Sequence, residues 1–380
     1  MKILVFVEKF MSPTLLFIYN EIQELSKTND VLLVTTEHLQ ESKKNFPFEK
    51  LIVVPYNPNT LLRKIYWLLE KNDIFLTRKN PAFSKKINKV IDSFKPDIIH
   101  AHFGYESIIL LDNLKNTKCP VFVTFHGYDA SEMLRKKSYI KKLNILFEKF
   151  KVTPLYVATE TCKDLINAGV SMSHGKLLYC GINTDYFVPS ATNLNENEKF
   201  TFLQISSFAE KKGHTYTLKA FQKFLQSIEN KNKYRLILAG GGAFLEHIKN
   251  ETKQLGLDDY VQFTGMITYK ETFPLLQTAN VFLHHSVTAM DGGKEGIPTS
   301  IMEAMAMELP VISTLHAGIP ELVEDGVNGY LVHEKDIDAY ARRMKDSITW
   351  KKLPVNRQKV EALFSRKAHN KNLLDIYSGS

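Results

Sequence analysis

The sequence predicts an α/β protein made of two doubly wound domains, each with a parallel sheet covered by helices. Short apolar runs rich in β-branched residues alternate with helical patterns along the chain. The strand-like runs are continuously apolar instead of alternating with polar residues, which is typical of parallel strands buried on both faces. Two such series follow one another, and a length of 380 residues suits two domains of ordinary size.

The first series predicts an N-terminal domain over residues 1–185. Its predicted strands are KILVFV, DVLLVTT, LIVVPY, DIIHAHF, VFVTFHG and LYVAT. The opening run is assigned to a strand because it reaches Glu8 without the small-residue cleavage site of a signal peptide. No window of the chain is apolar for long enough to predict a membrane-spanning helix.

The second series predicts a C-terminal domain over residues 195–350. Its predicted strands are FTFLQIS, YRLILAGGG, VQFTG, ANVFLHH, LPVIST and GYLV. Cys180 to Phe200 lies between the two series, lacks periodicity and is rich in Asn, Pro, Ser and Thr, so we expect a linker there. The sequence pattern of residues 351–380 predicts one last helix.

The formal charge of +8 is concentrated in the first half, where residues 1–189 carry +7. Two interpretations of these basic windows remain open: solvated helix faces, or a patch that contacts an anionic membrane or lipid-linked acceptor. The membrane interpretation assigns the contact to Arg63, Lys64, Arg135, Lys136 and Lys137. We find no nucleic-acid recognition signature. Three cysteines without metal-like or redox-like spacing predict a cytoplasmic protein, which the membrane interpretation places at the inner face of the cytoplasmic membrane.

Four polar or glycine-containing loops follow predicted strands. They are HFG (102–104), FHGYD (125–129), ISSFAEKKG (205–213) and DGGKEGIPTS (291–300). Because ligands of open parallel sheets bind beyond the carboxyl ends of the strands, these loops are the predicted site. We expect them to face each other across a cleft between the domains.

The last loop leads into a helix start that is suited to binding phosphate. Pro298 is expected early in the helix, with Thr299 and Ser300 in the first turn. The amides near Ile297, Thr299 and Ser300 are then free for an anion. Gly296 allows a ligand to approach the main chain. Glu295 precedes the helix and Glu303 lies one turn into it, so the two carboxyls suit hydroxyl groups at the two ends of a phosphate-containing ligand. A nucleotide sugar has this shape.

Several segments resemble the retaining nucleotide-sugar glycosyltransferases of family 4, which have the GT-B fold. The resemblance covers most of the chain and is carried by LAGGG (238–242), QLGLDDYVQFTGMI (254–267), residues 274–332 and GINTDYFVP (181–189). In the first half, FIYNEIQEL, DIIHAHFG and TFHGYD are similar to the exopolysaccharide branch, which includes colanic-acid-type transferases. The resemblance implies that the sheets face across a cleft and that the last helix returns to the N-terminal domain.

The resemblance also implies roles for individual residues. Glu295 would contact the donor sugar, Glu303 the nucleotide ribose, His126 the sugar from the N-terminal domain, and Lys212 the diphosphate. The remaining donor-binding candidates are Gly296, Ile297, Pro298 and Thr299 at the helix start, Ser207 and Lys211, and the base-packing segment Gly265, Met266 and Ile267. The implied reaction moves a hexose, most commonly from a UDP-sugar, to a saccharide or lipid-linked acceptor with retention and without a metal or cofactor.

The sequence departs from the family pattern at two places. The family has an arginine before the lysine of EKKG that clamps the diphosphate, and the matching position here is Ser207. A serine cannot replace a bidentate guanidinium, so Lys211 or the helix amides would carry more of this contact. The first loop, EKFMSPTLLFIYNEI, also lacks the paired glycines of many relatives.

Two groups of residues could bind a metal, but a structural role explains each of them better. His100 and His102 share one strand face and could bind a metal with His126, but the sequence places no carboxylate or cysteine at ligand spacing. Asp336 and Asp338 form an Asp-x-Asp pair at the start of a helix pattern, where helix capping is the better interpretation.

Other enzyme classes fail on their signatures. The first predicted strand is followed by no Gly-x-Gly-x-x-Gly, which excludes an NAD enzyme, and the chain has no P-loop. Two alternatives stay open: a sugar-nucleotide epimerase of the same fold, and a non-catalytic subunit that binds nucleotide sugars.

Overall fold

The structure, a computed structural model, describes residues 1–10, 15–38, 47–56, 64, 68–69, 72–74, 79–189 and 199–379. The chain divides into two compact units. The N-unit comprises Met1–Gly181 with Arg366–Ser380, and the C-unit comprises Ile182–Ser365. Each unit contains the predicted parallel sheet with helices, so the predicted fold class is confirmed.

The N-unit is built on a parallel sheet of seven strands in the order β3-β2-β1-β4-β5-β6-β7. These are β1 (Lys2–Phe10), β2 (Asp30–His38), β3 (Leu51–Val53), β4 (Ile98–His102), β5 (Val121–Phe125), β6 (Thr153–Tyr156) and β7 (Lys176–Leu177). The six strands predicted from sequence are confirmed, whereas β7 has two residues and is too short to give a pattern. Because the strand order reverses between β1 and β4, a topological switch point lies there.

Helices cover this sheet: α1 (Leu16–Leu25), α2 (Pro81–Phe94), α3 (Gly104–Asn113), α4 (Lys137–Phe150) and α5 (Thr159–Ala168). Short 3-10 helices span Tyr128–Ala130 and Glu132–Arg135. Asn80 starts α2, because its side chain accepts hydrogen bonds from the amides of Ala82 and Phe83 at 3.1 Å each. Strands β4 and β5 are buried at every position, including the polar residues His100, His102 and Thr124.

The C-unit has a parallel sheet of six strands in the order β10-β9-β8-β11-β12-β13. These are β8 (Phe200–Ile205), β9 (Tyr234–Ala239), β10 (Val261–Gly265), β11 (Val281–His284), β12 (Val311–Thr314) and β13 (Gly329–Val332). All six correspond to strands predicted from the sequence. The switch point of this sheet lies between β8 and β11, so the loops that follow these two strands are placed to bind a ligand.

The helices of the C-unit are α6 (His214–Gln226), α7 (Leu245–Gln254), α8 (Tyr269–Thr278), α9 (Thr299–Ala306), α10 (Ile319–Leu322), α11 (Ile337–Asp346) and α12 (Pro354–Leu363). Short 3-10 helices span Glu210–Lys212, Lys231–Lys233 and Ser347–Thr349. Asp336 caps α11, since its carboxylate accepts from the Ala339 amide at 2.9 Å. The prediction that this aspartate caps a helix is confirmed.

The prediction of one last helix is wrong, because the segment forms α12 in the C-unit and α13 (Arg366–Ser378) in the N-unit. The break falls at Phe364 and Ser365. The Ile182 amide donates to the Phe364 carbonyl at 2.9 Å, and the Ser365 hydroxyl turns back to the Glu361 carbonyl at 2.8 Å. In a continuous helix these two carbonyl groups would instead accept hydrogen bonds from backbone amides four residues later.

Within the described ranges of the chain, no helix combines the length and the apolar character needed to cross a membrane.

Candidate functional site

The loop after β11 and the start of α9 form the centre of the site in the C-unit. Pro298 is the N-cap with an extended backbone, and the helix begins at Thr299, one residue later than the sequence suggests. The Ile301 amide bonds to the Pro298 carbonyl at 3.1 Å. Among the described residues the amides of Ile297, Thr299 and Ser300 have no recorded acceptor, so they are free to bind an anion.

Glu295 lies between two lysines that follow β8. Its side chain is 9% exposed, with Lys212 Nζ at 2.9 Å from Oε2 and Lys211 Nζ at 3.5 Å from Oε1. Burial alone would raise the pKa of Glu295, but the two ammonium groups outweigh it and hold the pKa at about 2. Glu295 is therefore a carboxylate at neutral pH and can only accept hydrogen bonds.

Hydrogen bonds from neighbouring residues hold the main chain of the two lysines in this ion pair. The Gln204 amide group donates to the Lys212 carbonyl at 2.9 Å, and the Val287 amide donates to the Lys211 carbonyl at 3.0 Å. The loop after β8 is thus bonded to the loop after β11. Its two lysines are fixed beside Glu295 before any ligand binds.

The amide of Glu295 is held by a histidine that sequence analysis did not identify. The amide donates to His316 Nε2 at 3.1 Å, and His316 Nδ1 lies 2.6 Å from Glu334 Oε1. Because Nε2 accepts, Nδ1 carries the proton and donates to the carboxylate. Glu334 also accepts from the Thr288 amide at 2.8 Å. His316 follows β12, so its place at a strand end was the available sequence signal.

Glu303 lies in α9 and differs sharply from Glu295. It is 9% exposed, and no hydrogen bond or ion pair is recorded for its side chain among the described residues. Burial raises the pKa of Glu303 to about 8, so the carboxyl is largely protonated at neutral pH. A buried carboxyl without a protein partner is a candidate for binding a ligand.

Glycines bring the neighbouring loops into close contact. Gly213 has φ +62, and a Cβ added there would lie 1.7 Å from the His285 carbonyl oxygen. Gly240 has φ +138, and a Cβ there would lie 2.1 Å from the Ser206 carbonyl oxygen. Only glycine fits these positions, which explains both the strand-end turn at 240 and the glycine of EKKG.

The remaining donor-binding candidates lie on the same carboxyl edge of the sheet. Ser207 is exposed in the loop after β8. Gly265 ends β10, and Met266 after it is 73% exposed. A Cβ on Gly241 would come within 2.9 Å of Met266 Cε, so the thioether lies directly against the glycine loop. Ile267 is half-buried. The roles predicted for these residues stay predictions.

In the N-unit, the loop after β5 holds His126 through a buried aspartate. Asp129 Oδ1 accepts from the amides of His126 at 3.0 Å and Gly127 at 3.1 Å, and Oδ2 accepts from the Gly104 amide at 2.7 Å. Asp129 is fully buried, and burial raises its pKa. The FHGYD motif is therefore explained by a carboxylate that ties the ends of β4 and β5 together.

The imidazole of His126 is half-buried and packed between two aromatic rings. The Phe17 and Phe103 ring centroids each lie 4.6 Å from that of His126. His126 Nε2 is 3.1 Å from His102 Nδ1. Burial lowers the pKa of His126 well below its ordinary value, so the ring is neutral.

The prediction that no carboxylate accompanies these histidines is wrong, because Glu21 lies among them. Ligating atoms of Glu21, His100 and His102 fall within 4.8 Å of one another. Both ring nitrogens of His100 are already engaged by other groups, however. His100 already bonds Thr124 Oγ1 and the Tyr377 hydroxyl, each at 2.7 Å. We therefore describe the group as a hydrogen-bonded cluster, and sequence spacing could not reveal it because Glu21 comes from α1.

The basic residues predicted to contact a membrane lie on the N-unit. Lys64, Arg135 and Lys137 are exposed and Lys136 is half-buried, while Arg63 lies outside the described residues. The Lys137 amide starts α4 and donates to Asp73 Oδ2 at 3.1 Å. The arrangement leaves both interpretations of this surface open to experiment.

Two sequence families match this chain. The family described as "Glycosyl transferases group 1" matches residues 190–360, and the one described as "Glycosyltransferase Family 4" matches residues 17–186. Together they cover most of both units.

Similar proteins come from polysaccharide biosynthesis. WcaL of Escherichia coli K12, named for colanic acid biosynthesis, is 30% identical over 306 residues, which cover 78% of this chain and 74% of that protein. The amylovoran biosynthesis glycosyltransferase AmsK of Erwinia amylovora is 31% identical over 250 residues, covering 65% and 60% of the two chains.

Solved structures share the fold. HepE of Anabaena, solved in complex with UDP and glucose, has a TM-score of 0.79 at 18% identity, with both chains covered completely. Sucrose-phosphate synthase of Thermosynechococcus elongatus has a TM-score of 0.76 at 19% identity, covering 100% of this chain and 98% of that one.

Proposed function

The chain belongs to glycosyltransferase family 4, and from this membership we propose that it moves a hexose from a UDP-sugar to a saccharide or lipid-linked saccharide in surface polysaccharide synthesis. In this reaction the bond between the anomeric carbon and the diphosphate oxygen breaks. The same carbon bonds to an acceptor oxygen on the same face, and the acceptor proton passes to a diphosphate oxygen. The product keeps the donor's anomeric configuration, and no metal or cofactor takes part.

The observation that carries this proposal is the pair of contrasting carboxyls around the free amides of α9. Glu295 is ionised and accepts hydrogen bonds, which suits donor sugar hydroxyls. Glu303 is protonated and without a recorded partner among the described residues, which suits ribose hydroxyls that satisfy it on binding. The amides of Ile297, Thr299 and Ser300 lie between these carboxyls in sequence and suit the diphosphate.

Positive charge for the leaving diphosphate comes from the chain itself in this proposal. Lys212 and Lys211 pair with Glu295 in the donor-free protein. When a diphosphate binds, Lys212 would lie between two anionic groups and stabilise the charge that grows on the leaving group. Ser207 contributes a hydroxyl where relatives have a guanidinium, so Lys211 and the amides of α9 take the remaining contacts. This supply of charge is why we propose transfer without a metal.

The other predicted residues complete the proposed site. Gly265, Met266 and Ile267 would pack the nucleobase, and the exposed thioether of Met266 offers an apolar surface for it. His126 would act on the donor sugar. The exposed Lys64, Arg135 and Lys137 support a proposed contact between the N-unit and an anionic membrane that carries the acceptor. A cytoplasmic location at the inner membrane face is part of the same proposal.

A panel of UDP-, GDP- and ADP-hexoses tests the reaction. The purified protein is incubated with each donor, with and without a lipid-linked saccharide fraction, and the released nucleoside diphosphate is measured. We expect release from a UDP-hexose that depends on the acceptor and persists in EDTA. Proton NMR of the product should show the donor's anomeric configuration.

Each other outcome favours a different function. Conversion of the donor to an isomer without acceptor would support an epimerase of the same fold. Binding of a donor in a thermal-shift assay without turnover would support the non-catalytic subunit, which the serine at position 207 keeps as an alternative. Inverted product, or activity that EDTA abolishes, would contradict the proposed mechanism.

A further inference from the structure

A cluster of one carboxylate and four histidines lies in the N-unit, and all its members are buried except the half-buried His126. Its members are Glu21, His100, His102, His126 and His369. The cluster joins helices from both ends of the chain to the carboxyl ends of β4 and β5. Because carboxylate and carbonyl oxygens only accept hydrogen bonds, the contacts fix where each proton lies.

His369 is the positively charged member. Its Nδ1 lies 2.6 Å from the Tyr179 carbonyl oxygen, and its Nε2 lies 2.8 Å from Glu21 Oε2. Both partners are acceptors, so both ring nitrogens carry protons and the ring is an imidazolium. Its charge balances the single negative charge of Glu21, which is 3% exposed.

His102 carries the proton that faces the carboxylate on its Nε2. This nitrogen lies 3.2 Å from Glu21 Oε1, which is an ion-pair contact, and no hydrogen bond is recorded for either atom within the described chain. A lone pair on Nε2 would repel the carboxylate, so Nε2 carries the proton. The ring is fully buried, and the charge of Glu21 is already balanced by His369, so a second proton on His102 would be uncompensated. Nδ1 of His102 is therefore a hydrogen-bond acceptor.

We infer that Glu21 and His102 are positioning residues that hold His126 with its proton on Nε2 and its lone pair on Nδ1. His126 Nε2 lies 3.1 Å from His102 Nδ1 and must donate to it. The Phe17 and Phe103 rings and the bonds of Asp129 fix the ring and its main chain. The order Glu21–His102–His126 resembles a triad in which a carboxylate sets the tautomer of an imidazole.

The consequence is a defined chemical role for His126. Its Nδ1 lies 3.9 Å from the Cys180 sulfur, a weak donor, and it is the nitrogen left to accept a stronger hydrogen bond. His126 therefore accepts a hydrogen bond from a substrate hydroxyl instead of donating one. This inference rests on the proposed function, because that function brings His126 to the donor sugar.

Histidine NMR tests the tautomer without any turnover. The protein is labelled with 15N-histidine, and the His126 signals are assigned by their loss in His126→Asn. We expect a neutral ring with the proton on Nε2 between pH 6 and 8. In Glu21→Gln the amide can donate as well as accept, so we expect a mixture of His126 tautomers. The matched control is Glu24→Gln, one turn along α1, which should keep the wild-type tautomer. A proton on Nδ1 in the wild type would overturn the inference.

Turnover of the donor identified above separates positioning from folding. Glu21→Gln should lower kcat about 10–100-fold, change the donor KM little and shift the pH profile. His102→Asn should retain more activity than His102→Leu, because the Asn carbonyl can still accept from His126 Nε2 whereas Leu cannot. If Glu21→Gln does not fold, these two His102 variants decide the question. Equal activities of His102→Asn and His102→Leu would contradict it.

Metal content gives an independent check on the same cluster. We expect mass spectrometry of the purified protein to find no stoichiometric zinc, and added zinc to leave the His126 signals unchanged. Stoichiometric zinc lost in Glu21→Gln would replace the hydrogen-bonded cluster with a metal site and overturn the inference. If no donor is turned over, the proposed function fails while the NMR result still decides the tautomer.

Discussion

At the scale of single residues, Glu295 and Glu303 show how burial acts on two carboxyls of one proposed site. The side chain of Glu295 and the whole residue Glu303 are each 9% exposed, yet the pKa values of the two carboxyls move in opposite directions. The ammonium groups of Lys211 and Lys212 overcome the burial of Glu295, whereas the described part of the chain places no such group beside Glu303. The donor-free protein is therefore destabilised by Glu303 at neutral pH, which is expected of a group kept for binding.

Replacing Glu303 by Gln should stabilise the donor-free protein as pH rises. The folded-state pKa of Glu303 is raised to about 8 from an ordinary value near 4.5. Above pH 4.5 the unfolded chain binds fewer protons than the folded one, so the cost of burying Glu303 grows up to pH 8 and then levels off. Glu303→Gln removes this cost, and its Tm gain should increase by several degrees between pH 5 and 8. Differential scanning fluorimetry measures it, with Glu246→Gln on an exposed helix face as the control. A pH-independent gain would contradict the raised pKa.

The two lysines beside Glu295 should differ in importance. Lys212 lies closer to Glu295 and is less exposed, while Lys211 also donates to the Lys294 carbonyl at 3.2 Å. We expect Lys212→Met to lower kcat about 100–1,000-fold, as loss of a donor to a developing charge does. Lys211→Met should cost about 10-fold in the same steady-state assay. Lys219→Met, on α6, is the control. A larger loss in Lys211→Met would mean that Lys211 replaces the family arginine.

Sequence reasoning at the residue scale found the C-unit carboxyls but not the N-unit cluster. Glu295 and Glu303 lie within one contiguous segment, so their spacing and the helix start were visible together. Glu21 is on the buried face of α1 with Ile18 and Ile22, at positions where an amphipathic helix has apolar residues. A glutamate at an apolar position of the helix was the available sequence signal for a buried polar site. It does not reveal which residues balance the charge.

At the scale of elements, local sequence patterns predicted the strands and the helix cap but missed the helix break that depends on a contact distant in sequence. Continuous apolar runs identify parallel strands because both faces of these sheets are covered. The cap of α11 depends only on Asp336 and the amide three residues later, which is local chemistry. The break between α12 and α13 depends on the Ile182 amide bonding Phe364, a contact that residue patterns near the break cannot show.

The capping role of Asp336 gives a direct test at this scale. Asp336→Ala should destabilise the protein by about 1 kcal/mol, while Asp336→Asn should be nearly neutral because an amide oxygen also caps. Urea denaturation followed by circular dichroism measures the difference. Asp338→Asn is the control, since Asp338 makes an exposed pair with Lys223. If Asp336→Asn instead abolished a Mn²⁺-dependent activity, the Asp-x-Asp pair would be a metal site.

At the scale of the whole molecule, the ends of the sequence meet in the N-unit. Glu21 and His369 are 348 positions apart and form a buried ion pair at 2.8 Å. Tyr377, also in α13, bonds His100 at 2.7 Å. The family resemblance implies that the last helix returns to the first domain, but the charge pairing that fastens it requires coordinates. The N-unit thus gains polar groups from a helix whose sequence lies beyond the entire C-unit.

This ion pair should make stability depend on pH in a defined direction. Burial would lower the pKa of His369, but Glu21 and the Tyr179 carbonyl raise it overall. The contribution is therefore complete below the ordinary histidine pKa of about 6.5 and is lost as pH rises through the raised value. The pKa of Glu21 is lowered in the folded protein. The stabilising contribution of the ion pair is therefore lost again as pH falls from about 4.5 towards that lowered pKa. His369→Gln should lower stability by about 3–5 kcal/mol near pH 5.5, and by less at pH 9. Thermal melts at pH 5.5, 7.5 and 9 against Lys371→Gln measure this, and an equal loss at every pH would show that His369 is held by packing alone.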